Sequence, residues 1–183
     1  MASFHLPYPK FHSEQKIRFE SSMLFIGSCF SSNMGQLSIN HGLNTLSNPF
    51  GTLFHPEPIM NSIQSAIRDS EEVFYVETTN FVSDWNSAHL FQSSSKEAHL
   101  KSILEKRKRI RDALSGNAWL FVTFGTSISY RHISDDMVVA NCHKQPTELF
   151  KRESSSPFDM FTKWSGFIKE LIKWNPRLNI VFT

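Results

Sequence analysis

The sequence holds only two cysteines, Cys29 and Cys142, among its 183 residues. Two cysteines supply neither a disulfide framework nor, at this spacing, a C-x-x-C redox pair. Long apolar runs are missing as well, and none approaches the roughly 18 residues that a membrane-spanning helix needs. The opening stretch, MASFHLPYPKFHSEQKIRF, has no apolar core after a basic start, which excludes a signal peptide. Charge of one sign is not in excess. A net charge of +2 gives no global field for nucleic acid or a membrane surface. Internal repeats and linker-like low-complexity tracts are absent. Together these absences predict a single cytoplasmic domain over residues 1–183, with both thiols free and with no nucleic-acid or membrane partner.

The residues that are present suit a globular core. Forty per cent are hydrophobic and 20% charged, and 183 residues suffice to bury a real interior. The 17 phenylalanines fit either an aromatic-rich core or an apolar cleft. Along the chain, the first 20 residues read as an extended arm and SMLFIG (22–27) as a short buried strand. Residues 31–42 carry Met34, Leu37 and Ile39 at near-helical spacing and stop at Gly42, a helix C-cap signal. LNTLSNPFG (43–51) reads as a short strand and a turn. Pro56 and Pro58 open a helix with Ile59, Ile63 and Ile67 on one face. Residues 72–85 read as a small hairpin insertion, and 95–116 as the clearest helix, with an inner stripe of Leu100, Ile103, Leu104, Arg107, Ile110 and Leu114.

AWLFVTFG (118–125) is apolar almost throughout, as a strand buried on both faces is. DMVVAN (136–141) is a further short strand, 156–175 a helix opened by Pro157, and PRLNIVFT (176–183) another buried strand. Alternation of strands and helices predicts α/β architecture with a parallel sheet. The basic run Lys106, Arg107, Lys108, Arg109 and Arg111 is interrupted by apolar residues and flanked by Glu105 and Asp112, so it reads as a solvated helix face and not a nucleic-acid patch.

Four places carry chemistry. Ligands of open α/β sheets bind beyond the carboxyl ends of the strands, and Gly27-Ser28 in FIGSCFSSNMG lies at such an end. Ser28 there is either an N-cap for the following helix or a nucleophile whose oxyanion would be met by backbone amides. Cys29 is the other nucleophilic candidate, but the apolar neighbours Phe25, Ile26 and Phe30 would keep its thiol protonated. Gly51, in SNPFGT, is either a turn glycine or a second oxyanion donor. Gly125, Thr126 and Ser127 follow the central strand and either line a cleft or make a turn. Asn141, Cys142 and His143 stand side by side. That pair of ligand types is too few for zinc, and His143 is either a general base or a local hydrogen-bonding residue.

Five stretches occur in a fixed order: FIGSCFSSNMG, SNPFGT, FGTSISYR, VVANCHKQP and NPRLNIVFT. In this the chain resembles the GSCFA domain family, whose name is read here as Gly27-Ser28-Cys29-Phe30-Ser31. That family is similar to the SGNH (GDSL-type) hydrolases. The resemblance implies a three-layer, flavodoxin-like α/β/α sandwich and a serine ester hydrolase acting on an acylated carbohydrate or similar small ester, without metal or organic cofactor. It implies Ser28 as nucleophile and the amides of Ser28 and Gly51 as oxyanion donors. Cys29, Gly125, Thr126, Ser127, Asn141 and His143 are implied as cleft residues. Two departures stand out. Ser127 occupies the place of the third-block asparagine, for which Asn141 or a serine hydroxyl would substitute. The D-x-x-H-P stretch that supplies the triad Asp and His in the last block does not occur in the sequence. His143 is therefore not expected to be the triad base. The sequence stops at Thr183 on a buried-strand pattern, so we expect an incomplete domain whose serine half alone has little activity. The alternative is a non-catalytic module that binds a glycan or a protein.

Overall fold

A computed structural model describes residues 14–183; most of the expected N-terminal arm, residues 1–13, lies outside the described residues. Four parallel strands build the central sheet: β1 (Ser22–Gly27), β2 (Thr45–Ser47), β5 (Ala118–Thr123) and β9 (Asn179–Phe182), in the order β2-β1-β5-β9. β1 pairs with β5 over its whole length, from Ser22 opposite Ala118 to Gly27 opposite Thr123. Both strands are apolar because both faces are covered.

On one face, Leu24, Ile26, Leu120 and Val122 pack against three helices: α2 (Pro56–Ile67), α3 (Lys96–Ala113) and α4 (Pro157–Trp174). Each of these four side chains is at most 1% exposed, and burial of that kind contributes roughly 1.5–3 kcal/mol apiece. The opposite face carries Met23, Phe25 and Trp119, joined by Met34 of α1 (Cys29–Asn40). Phe25 and Phe121 stack there with ring centres 4.3 Å apart. The result is the expected three-layer α/β/α arrangement around a parallel sheet.

Helix boundaries follow local chemistry. Ser95 and Ser156 cap α3 and α4 by accepting hydrogen bonds from the Ala98 and Asp159 amides. His55 caps α2 through its ring, ahead of Pro56. Gly42, at φ +77°, lies just past α1, as its C-cap role required.

Two small antiparallel sheets are inserted. β3 (Tyr75–Glu77) and β4 (Val82–Asp84) form the expected hairpin. The second insertion is larger than the sequence suggested. β6 (Ile128–His132) is flanked by β7 (Met137–Val139) and β8 (Phe150–Ser154). The stretch after β5 is thus not only a turn, because by Ile128 it has already entered a new sheet.

Candidate active site

All four central strands run the same way, so Gly27, the residues after β2 and the residues after β5 emerge at one carboxyl edge. The β2–α2 segment crosses that edge and ties it together. The Leu53 amide donates to the Gly27 carbonyl (3.0 Å), and the Gly125 amide donates to the Phe54 carbonyl (2.8 Å). Asn48 clamps the far side. Its side-chain oxygen accepts from the Gly27 amide (2.8 Å), and its NH2 donates to the Ser32 hydroxyl (2.6 Å).

Ser28 sits in the middle, at the junction of β1 and α1. Gly27 makes the junction possible. Its φ is +132°, and a Cβ on it would fall 2.1 Å from the Thr123 carbonyl oxygen. Gly125 closes in from the other side, where an added Cβ would lie 3.3 Å from Ser28 Cβ and 2.8 Å from the Phe54 ring. Ser28 is 6% exposed and occupies the N-cap position of α1. A serine in that position ordinarily satisfies a first-turn amide. This one does not, and its hydroxyl makes no hydrogen bond to any described residue. The two serine caps on α3 and α4 show what the ordinary arrangement looks like in the same molecule.

The two amides expected as oxyanion donors both hydrogen-bond within the fold. The β1–β5 ladder ends with Gly27 opposite Thr123, and the Ser28 amide donates to the Thr123 carbonyl (3.0 Å). Gly51 closes a turn, with φ +81° and its amide donating to the Asn48 carbonyl (2.8 Å). Its lack of a side chain serves packing, since a Cβ there would come 2.5 Å from Ala88 Cβ. Thr126 uses its hydroxyl to accept from the Ile128 amide (2.9 Å), and the Ser127 carbonyl accepts from the Ser155 amide. Both therefore shape the entry into β6.

Cys29 is exposed, so it lacks the apolar enclosure the sequence suggested. Its neighbour Phe30 is itself half in solvent. Asn141, Cys142 and His143 belong to the insertion instead. The Asn141 side chain accepts from the His143 amide (2.8 Å), and the His143 ring bonds the Asp84 carbonyl (2.9 Å) beside Trp85. Burial pushes the His143 imidazole below its ordinary pKa and the Cys142 thiol above its own. No hydrogen bond links His143 to Ser28.

Two serine–histidine pairs escaped sequence reasoning because their members lie far apart or on an ordinary-looking helix. His55 Nε2 lies 2.9 Å from the Ser155 hydroxyl. Its Nδ1 accepts from the Glu57 amide, so the proton is on Nε2 and the ring donates to Ser155. That tautomer cannot take a proton from the serine. In the second, Asp84, His99 and Ser93 stand in relay order, with Asp84 Oδ2 3.1 Å from Nε2 and the Ser93 hydroxyl 3.1 Å from Nδ1. The His99 ring is fully buried, which closes the relay to substrate and leaves it tying β4 to α3. Among the described residues no group of three or more His, Cys, Asp or Glu is placed to hold a metal ion, and no helix is long and apolar enough to cross a membrane.

The fold is thus an open parallel α/β sheet in which the Ser28 hydroxyl, without a hydrogen-bond partner among the described residues, lies between a central strand and the next helix, at the carboxyl edge where ligands of such sheets generally bind. The chain belongs to the GSCFA family, whose sequence model matches residues 22–183. No curated protein and no solved structure matches the chain.

Proposed function

We propose that this GSCFA protein is an SGNH-type serine ester hydrolase with Ser28 as nucleophile, acting on an acylated carbohydrate or a similar small ester. The observation that carries the reading is the Ser28 hydroxyl, on a nearly buried residue at the carboxyl edge and without a hydrogen bond to any described residue. In the proposed reaction Ser28 Oγ forms a bond to the acyl carbon as the carbonyl electron pair moves onto oxygen. The hydroxyl proton passes to an imidazole, which the SGNH resemblance places in a D-x-x-H-P stretch. The alcohol then leaves, and water releases the acid.

The test is p-nitrophenyl acetate hydrolysis by the full-length protein and its Ser28→Ala variant. Turnover is expected to fall roughly 10⁴–10⁶-fold. Because the hydroxyl bonds no described residue, stability is expected to change by less than about 0.5 kcal/mol, against about 1 kcal/mol for loss of a working cap. Undiminished turnover in Ser28→Ala would sink the proposal.

A second reading has its own support: the amides of Ser28 and Gly51 are both engaged within the fold, and no described histidine bonds Ser28. On this reading the edge is a non-catalytic site for a glycan or a protein. Absence of ester turnover together with saturable glycan binding would select it.

A further inference from the structure

A two-part cavity lies between α2, β8 and the first turns of α4. Its outer part is an open cleft of about 500 Å³ bordered by Arg131, Glu153, Phe158 and Thr162. Its inner part is a chamber of about 20 Å³ walled by Pro56, Met60, Met160 and Trp164. Glu57, Ser155, Asp159 and Lys163 line both parts. The chamber has room for little more than one methyl-sized group, and its own walls are mainly apolar, which favours a methyl over water.

The outer cleft is polar, but both of the cations that line it are paired. Lys163 meets Glu57 at 2.6 Å and Arg131 meets Glu153 at 3.0 Å. Charges neutralised in this way suit a neutral ligand better than an anion, and they hold donors and acceptors at fixed positions. Phe158 is 76% exposed and offers an apolar plate to a ring-shaped ligand. Two polar groups on the wall common to both parts have unused capacity. The His55 ring, with its proton on Nε2, donates to the Ser155 hydroxyl oxygen (2.9 Å), so that hydroxyl keeps its own proton to give, and no described residue takes it. Asp159 accepts at Oδ2 from the Ser156 hydroxyl (2.7 Å), while its Oδ1 has no hydrogen bond to a described residue.

We propose that this cavity binds the acetamido group of an N-acetylated hexosamine. The methyl enters the chamber, the carbonyl oxygen accepts from Ser155, the amide N–H donates to Asp159, and the sugar ring lies in the outer cleft against Phe158. An acetyl ester of the same shape has no N–H for the carboxylate, and a sugar without the acetyl group has nothing to fill the chamber. The cleft adjoins the Ser28 edge. The Ser155 amide donates to the Ser127 carbonyl (2.9 Å), and Phe54, next to His55, stands against Gly125, which in turn stands against Ser28. As the carbohydrate part of a substrate the bound sugar rests on the hydrolase reading; as a binding site the cavity requires no chemistry at Ser28.

N-Acetylglucosamine is titrated into ¹⁵N-labelled protein. Saturable shifts are expected for the Ser155 amide and the Trp164 indole N–H, and saturation transfer from protein to ligand should be strongest at the acetyl methyl. Glucose, titrated in parallel, should bind at least about fivefold more weakly. Ser155→Ala removes the donor and should weaken N-acetylglucosamine at least about fivefold, as loss of one hydrogen bond does. Met160→Trp fills the chamber and should do the same, each variant keeping the parent's far-ultraviolet circular dichroism. Absence of saturable shifts in the parent overturns the assignment, as does glucose binding equal to that of N-acetylglucosamine or undiminished binding by either folded variant. The hydrolase reading fails separately. Sugar binding that Ser155→Ala abolishes, with ester turnover indifferent to Ser28→Ala, refutes only the hydrolase, whereas Ser28-dependent turnover with unmoved Ser155 and Trp164 resonances refutes only this site.

Discussion

Gly27→Ala should be among the most damaging single-methyl changes in this protein. Two separate costs arise. At φ +132° an L-residue is strained, by about 1–2 kcal/mol on the scale of left-handed backbone. The new Cβ would also stand 2.1 Å from the Thr123 oxygen and 2.9 Å from its carbonyl carbon. Those are backbone atoms of the partner strand, so no rotamer change relieves the clash and β1 must draw away from β5. The Ser28 amide to Thr123 and the Leu53 amide to Gly27 are the bonds that stretch, each worth about 1 kcal/mol net. The sum is about 3–4 kcal/mol. Gly116→Ala provides the control. Gly116 has φ +69°, yet nothing lies within 4 Å of an added Cβ, so only the backbone strain of about 1–2 kcal/mol applies. With a urea m-value of about 2 kcal/mol/M, the unfolding midpoint should fall by about 1.5–2 M for Gly27→Ala and by about 0.5–1 M for Gly116→Ala. Equal midpoints for the two variants would refute the argument that close approach to β5, and not φ alone, makes glycine necessary at the serine junction.

Asp84→Asn is expected to cost about 1–3 kcal/mol, since the buried carboxylate accepts from both the Asn86 amide (2.9 Å) and His99 (3.1 Å); a urea midpoint within error of the parent would show that these bonds contribute nothing net. Burial lowers the pKa of His55 and His143 in the folded protein, so the unfolded chain takes up protons first as pH falls. The stability these residues protect is complete above their unfolded pKa of about 6.5 and is lost as pH drops below it. Thermal unfolding followed from pH 7.5 to 5 should show that decline, and a double His55→Asn, His143→Asn variant should flatten it; an unchanged slope counts against both residues as its source.

The buried strands and the long helices were legible because period and composition alone specify them. SMLFIG and AWLFVT are covered on both faces, while Phe124 and Gly125 beyond the second strand are exposed, and Ile59, Ile63 and Ile67 lie on the buried side of α2. Arg107, read as part of the inner stripe of α3, does turn inward, where its guanidinium holds the Ser70 and Glu72 carbonyls. Its basic neighbours pair locally instead, Lys108 with Asp112 and Arg111 with Asp69. The β6–β8 pairing was illegible because its strands meet across a loop and carry mixed polar residues, such as ISYRH and FKRES, with no clean alternation. The placement of Ser28 followed from a strand ending in glycine and serine. The state of its amide did not, since that depends on how far the β1–β5 ladder runs. Asp84–His99 and His55–Ser155 join residues 15 and 100 positions apart, and no local pattern announces either pair.

The pairing of Gly27 with Thr123 also sets a clock. The serine junction is not complete until its partner strand exists, and nearly a hundred residues of chain separate the two. At translation rates of about 5–20 residues per second, that is about 5–20 s during which β1, apolar on both sides, waits on the ribosome without its central neighbour. Closing so long a loop costs entropy before any contact rewards it, which places folding among the slower, non-local topologies. Variants that weaken the β1–β5 register should therefore lower the yield of soluble protein during synthesis more than they lower the stability of the finished fold.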